Sequence, residues 1–199
     1  MELVQASTTA SPPFLPNDDL WERLVALPET VKGEIIDGKL YAMPRGRFRH
    51  MLAIGFLVGH LGVRIAHRDG SQGWWILPEP GIELPSAREV SPDIAGWRLS
   101  TMPQPPPPDE PIRIVPDWVC EVLSPSTAHY DLGVKLEFYA RIGVSWAWYV
   151  DTRCQTIHVM ELEQGSWKTR LVCGAEKTIA LPPFEAIEIP IDLMWIPFF

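Results

Sequence analysis

Residues 118–127 read WVCEVLSPST. Trp118, Val119, Cys120, Val122 and Leu123 form the near-continuous apolar run of a strand covered on both faces. Ser124-Pro-Ser-Thr127 then closes that strand with turn and helix-cap residues. From Tyr130 to Ile142, apolar positions 132, 134, 136, 138 and 139 predict a helix that ends near Gly143. Val144–Val150 is again strand-like. A buried strand, a crossover helix and a second strand make a right-handed βαβ unit. The residue out of place is Glu121, because a lone ionised carboxylate in an apolar interior costs several kcal/mol or takes up a proton.

Working outward, 156–162 and 167–172 read as further strands, with turns at Asp151-Thr-Arg and Gln164-Gly. The remainder is strand-like and rich in proline and aromatic residues. Upstream, Asn17–Leu27 predicts a short amphipathic helix, and GEIIDGKLYAMP predicts a hairpin turning at Asp37-Gly38. Phe48 to His67 predicts a helix buried over much of its girth, with Gly55, Gly59 and Gly62 allowing a neighbour to pack closely. Short strands are expected at 74–77, 81–84 and 93–97. The segment TMPQPPPPDEP, residues 101–111, can form neither helix nor central strand and predicts an exposed loop.

These elements predict an α/β (α+β) domain: a mixed β-sheet core flanked by helices, with a hairpin-rich C-terminal part. Residues 1–16 are expected to be a loose tail and 17–199 one domain, within the usual size of roughly 50–250 residues.

Composition narrows the function classes. The 25 acidic residues exceed the 17 lysines and arginines, giving a formal net charge of −8. That opposes bulk binding to phosphate backbones and leaves room for a local basic patch or a metal-assisted site. Cysteines 120, 154 and 173 show no metal-binding spacing, which fits a reducing compartment. The N-terminal stretch has neither a basic start nor a long apolar run, so neither a signal peptide nor a membrane anchor is expected. A cytoplasmic protein with no membrane association is the expectation. Nine tryptophans and an apolar C-terminus suggest a homodimer.

Glu121 acquires a purpose if it has a partner. Pro92-Asp93 opens the apolar strand 93–97, and if that strand neighbours 117–123 the two carboxylates meet. At about 4 Å they repel by roughly 4 kcal/mol at an effective dielectric near 20. A divalent cation reverses the sign, and hard oxygen ligands with vacant positions suit Mg²⁺ or Mn²⁺. Asp131 and Lys135, four apart on the crossover helix, can share a face, and the helix can swing Lys135 back toward Glu121. Arg45, Arg47 and Arg49, alternating before His50, are the candidate nucleic-acid patch.

The ordered series SPD (residues 91–93), EVLSPST (121–127), Asp131-x-x-x-Lys135-x-x-x-Tyr139, GV and W-x-W-Y-V-D resembles the Uma2 "putative restriction endonuclease" family of the PD-(D/E)XK nucleases. EIIDGKLYAMP and His50 fit its N-terminal half, and the resemblance spans about Leu20 to Leu162. It implies a restriction-endonuclease-like fold, Asp93 and Glu121 as ligands of Mg²⁺ or Mn²⁺, and Glu34 as an additional acid. The usual E-x-K motif places lysine where Leu123 stands, so the resemblance passes that role to Lys135. The expected activity is metal-dependent hydrolysis of nucleic acid, with DNA as substrate. The competing reading is a non-catalytic protein of this fold acting in assembly or partner binding; a lysine paired directly with the acids would favour it.

Overall fold

In a computed structural model, residues 18–65 and 73–195 are described. The expected tail, residues 1–16, lies outside them, as do residues 66–67 of the expected long helix and residues 196–199.

The expected hairpin is present. β1 (Val31–Ile36) and β2 (Lys39–Pro44) pair antiparallel through Asp37 and Gly38. Both turn residues have positive φ, 51° and 67°, which the two-residue hairpin turn demands and an Asp-Gly pair supplies. A strand not anticipated, β5 (Ala87–Val90), lies on the other side of β1 and carries β4 (Ile82–Leu84) at its edge. Its sequence AREV has two central charges, so it lacks the apolar signal of a buried strand.

The second sheet has six strands in the order β10-β9-β8-β7-β6-β3. These are β3 (Trp74–Pro78), β6 (Ile94–Arg98), β7 (Trp118–Leu123), β8 (Trp146–Asp151), β9 (Thr156–Glu163) and β10 (Ser166–Cys173). β7 and β8 are parallel and the remaining pairs antiparallel, so the sheet is mixed and the expected crossover joins its centre. The proline-rich loop between β6 and β7 is largely exposed and is anchored by buried Met102 and Ile112.

Strand alternation divides the core in two. Trp118, Cys120 and Val122 face α2 (Phe48–Ile65) and the C-terminal residues Phe184, Ile187 and Met194. Val119 and Leu123 face the crossover helix and the small sheet, packing with Ile36, Trp97, Phe138 and Tyr139. Glu121 belongs to this second face.

The crossover helix runs from Ala128 to Ile142, but not with one period. Asp131–Lys135 forms a π-helical turn between α-helical stretches Ala128–Tyr130 and Leu136–Ile142. The Leu136 N–H donates to the Asp131 carbonyl, five residues back. The sheet holds both ends: Tyr149 Oη donates to the Asp131 carbonyl at 3.3 Å, and Trp167 Nε1 to that of Leu136 at 2.9 Å. Gly143, at φ 85°, ends the helix in the left-handed conformation that glycine adopts without penalty.

One expectation about α2 is corrected. Its apolar face, Ala53, Ile54, Leu57 and Leu61, is buried as predicted. A Cβ at Gly55, Gly59 or Gly62, however, would meet nothing within 4 Å among the described residues. The glycines lie away from the core this helix packs on. No helix among the described residues is long and apolar enough to cross a membrane.

Candidate active site

The register of the two central strands brings the acids together. Ile94 pairs with Cys120 across the antiparallel β6–β7 ladder, so Asp93 and Glu121 occupy the next opposed positions on one face. Side chains continue the ladder where backbone pairing stops. The Val122 N–H donates to Asp93 Oδ2 at 2.8 Å, and the Asp93 N–H points at Glu121 Oε2 at 3.4 Å. Both carboxylates are buried, Glu121 to 1% exposure.

The crossover helix delivers a cation to this pair. Lys135 is 2% exposed, and its Nζ lies 2.6 Å from Glu121 Oε1 and 3.5 Å from Glu34 Oε1. The crossover helix thus swings Lys135 back to Glu121 as expected, and it does so in the interior. Tyr139, one turn further on, donates its hydroxyl to the same Glu121 Oε1 at 2.5 Å. Tyr130 Oη donates to Glu34 Oε2 at 2.9 Å. The four predicted residues Glu34, Asp93, Glu121 and Lys135 thus form one buried cluster. Outside it, both Asp37 oxygens accept from Arg141 at 2.6 and 2.7 Å, tying the crossover helix to the hairpin that carries Glu34.

Two further partners of Asp93 had no role assigned from sequence. Lys32 Nζ reaches Asp93 Oδ1 at 3.7 Å, Glu34 Oε1 at 3.9 Å and Glu79 Oε1 at 3.5 Å. The available signal was its spacing: residues 32 and 34 share a face of β1. His50, seen in the sequence only as part of the resemblance, opens α2 and places Nε2 3.2 Å from Asp93 Oδ1. Its Nδ1 is buried without a hydrogen-bond partner among the described residues.

Charge balance sets the protonation of the cluster. Burial pushes Glu121 up to about 8; Asp93, Asp131 and Glu34 add to the rise while Lys135 opposes it. Burial also raises Asp131, to about 6. For Asp93, burial is outweighed by the His50 hydrogen bond and the Lys32 and Lys135 charges, which hold it below the usual carboxylate range. Burial alone would lower His50, but Asp93 raises it. Lys135 is likewise desolvated, yet Glu121, Glu34, Asp131 and Asp93 keep it well above an ordinary lysine. Burial and the neighbouring acids thus work against charge on Glu121, while those same acids hold Lys135 cationic.

Among the described residues, no group of three or more His, Cys, Asp or Glu side chains is disposed to hold a metal by itself. Two adjacent carboxylates nevertheless fit a hard divalent ion, because Mg²⁺ takes one or two carboxylates and fills its shell with water and phosphate oxygen. Glu121 Oε2 suits that role best, since among the described residues its close donor is the long contact from the Asp93 N–H. Arg45 and Arg47 lie between β2 and α2 and Arg49 in the first turn of α2, and all three line one cavity with His50. Arg45 Nε donates to the Glu29 carbonyl at 2.6 Å, and Arg47 is exposed.

Comparison with known proteins bears on the family and the fold. The family model Uma2, described as putative restriction endonuclease, matches residues 21–192. A crystal structure titled as a putative nuclease belonging to DUF820, from Anabaena variabilis, superposes with a TM-score of 0.67. It is 21% identical, and the match covers 87% of this chain and 96% of that one. At that identity the likeness is one of fold. No curated protein matches the chain.

Proposed function

The chain belongs to the Uma2 putative restriction endonuclease family, and from that premise we propose that it is a metal-dependent nuclease hydrolysing phosphodiester bonds in DNA. The observation that carries the reading is the buried cluster of Asp93, Glu121 and Lys135. Two acids knit across neighbouring strands, with a lysine delivered from the next helix, are the arrangement such chemistry needs.

Asp93 and Glu121 would hold Mg²⁺ or Mn²⁺, which when bound supplies an activated water and neutralises phosphate charge. Lys135, cationic throughout the physiological range, offers its ammonium to negative charge developing on the phosphate. Glu34 and Glu121 orient that ammonium from two sides, and Tyr130 and Tyr139 fix the carboxylates in turn. Lys32 and His50 balance Asp93.

One contact favours the second reading, a non-catalytic protein of the same fold. Lys135 sits directly on Glu121 at 2.6 Å, so an ammonium can take the place of a metal in holding the site together. One experiment separates the two. Plasmid, linear duplex and single-stranded DNA are incubated with the protein in Mg²⁺ or Mn²⁺, beside Asp93→Ala. Metal-dependent cleavage lost in Asp93→Ala supports the nuclease; absence of cleavage on every substrate, with no metal-induced rise in melting temperature, supports the alternative.

A further inference from the structure

Two turns far apart in sequence line one cavity of about 590 Å³. One is the segment 45–47 between β2 and α2, continued by Phe48 and Arg49 of the first helical turn; the other is the β8–β9 turn at Thr152 and Arg153, with Ser124 and Ser126 beside them. Its lining carries Arg45, Arg47, Arg49 and Arg153 and no carboxylate. In a chain of formal net charge −8, that is a local inversion of sign. The first turn of α2, which opens here, also contains no acid. His50 both lines the cavity and touches Asp93, so the cavity adjoins the acid cluster.

The lining is not only cationic. Phe48 stands between Arg47 and Arg49 in sequence and is 71% exposed, outside both core clusters. Pro44, Leu123 and Pro125 add apolar wall. Guanidinium groups pair with phosphate through planar, charge-assisted hydrogen bonds. An exposed ring offers a π-face on which any base can stack. The volume lies within the range of small-molecule sites, roughly 300–1,000 Å³. A purely electrostatic track would need neither the phenyl ring nor the apolar wall.

We propose that this cavity is a subsite for one unstacked nucleotide of a single DNA strand, with its phosphate on Arg47, Arg49 and Arg153 and its base against Phe48. The proposal rests on the nuclease reading and narrows it: the nucleotide beside the scissile bond enters extruded or single-stranded, because a base inside a duplex stack has no free face. Arg153 is a positioning residue that grips the strand from the β8–β9 turn.

The test uses the full chain in Ca²⁺ and a short oligonucleotide with one 2-aminopurine, single-stranded or annealed. Affinity is read by anisotropy and base environment by 2-aminopurine emission. Single strand is expected to bind more tightly than duplex, with a change in emission on binding. Phe48→Ala should abolish that change and weaken single-strand binding by about fivefold or more. Arg153→Ala should lower the salt-dependence slope by roughly 0.7, the loss of one single-strand phosphate contact. Arg170→Ala, whose guanidinium pairs with Glu161 on β9, should change neither. Equal binding of both DNA forms, unmoved by Phe48→Ala and Arg153→Ala, overturns the subsite while nucleic-acid binding stands. No binding to either form by the unaltered protein overturns the subsite and the nuclease reading together.

Discussion

Lys135 Nζ and Glu121 Oε1 stand 2.6 Å apart with neither residue more than 2% exposed. Around them the acids Glu34, Asp93 and Asp131 outnumber the second ammonium, Lys32. Deleting the Lys135 cation should therefore be far worse than deleting the Glu121 charge. Lys135→Met is expected to lose about 3 kcal/mol, the usual scale for orphaning one partner of a buried pair. Adding Glu121→Gln should restore much of it. Denaturant melts of the two single variants and the double variant read the coupling directly; additive losses would contradict it.

Glu121→Gln alone should hold the metal-free melting temperature near that of the parent, because it removes one of several crowded negative charges. Under the nuclease proposal it should also abolish the rise produced by Mn²⁺. Differential scanning fluorimetry with and without Mn²⁺ measures both, and an equal rise in parent and variant would remove Glu121 from the ligand set.

Glu89 on β5 gives a pH test away from the two proposed ligands. Burial, with Glu34 and Glu83 nearby and Lys32 opposing, pushes its pKa from 4.5 up to about 7. A carboxyl whose folded pKa exceeds its unfolded one stabilises fully below the unfolded value. That contribution fades as pH climbs through the folded value. Metal-free protein should accordingly lose stability between pH 4.5 and 7, by up to about 3 kcal/mol from this group. Glu89→Gln should flatten the decline; an unchanged pH profile would show that Glu89 ionises normally.

Much of this was legible because local chemistry forced it. Asp37-Gly38 announces its turn because few other pairs accept two positive φ values. Glu121 announces itself because a charge in an apolar strand is visible in one dimension, and the β6–β7 register that gives it Asp93 follows from two short strands. Lys32 and Tyr130 stayed hidden because what they touch is set by packing between distant elements. β5 was missed because its burial comes from neighbours and not from its own AREV. The π turn escaped because five residues at its period and five at the α-helical one differ too little to register as a pattern.

The outward glycines of α2 predict a gain. Gly55→Ala and Gly59→Ala meet no neighbour among the described residues, and each should stabilise the chain by roughly 0.5–1 kcal/mol through lower unfolded-state entropy. Melts at several protein concentrations check this. A loss that grows with concentration would instead mean that a second copy packs on that face, as the expected homodimer could.

Binding should follow the cation more than overall charge. With Ca²⁺ at fixed ionic strength, DNA affinity is expected to exceed that in EDTA, Asp93→Ala to erase the difference, and Arg47→Ala to weaken both. Equal affinity in the two conditions, read by gel shift, would sink the idea of a metal bridging carboxylate and phosphate.

The π turn acts as one residue of slack between Glu121 and Tyr139. Gly133 lies in it, exposed and with space for a side chain, so its identity is nearly free. Deleting it would let the helix close to the common period, and the two changes offset: four residues at the α-helical period turn through about 400°, close to what five cover at the wider one. Phe138 and Tyr139 would keep facing the core. Straightening the turn with every residue kept would instead swing both out of it by about 100°. Homologous segments should thus drift in spelling and tolerate the loss of this one residue, whereas a deletion within Leu136–Ile142, which has no slack, should move Tyr139 off Glu121.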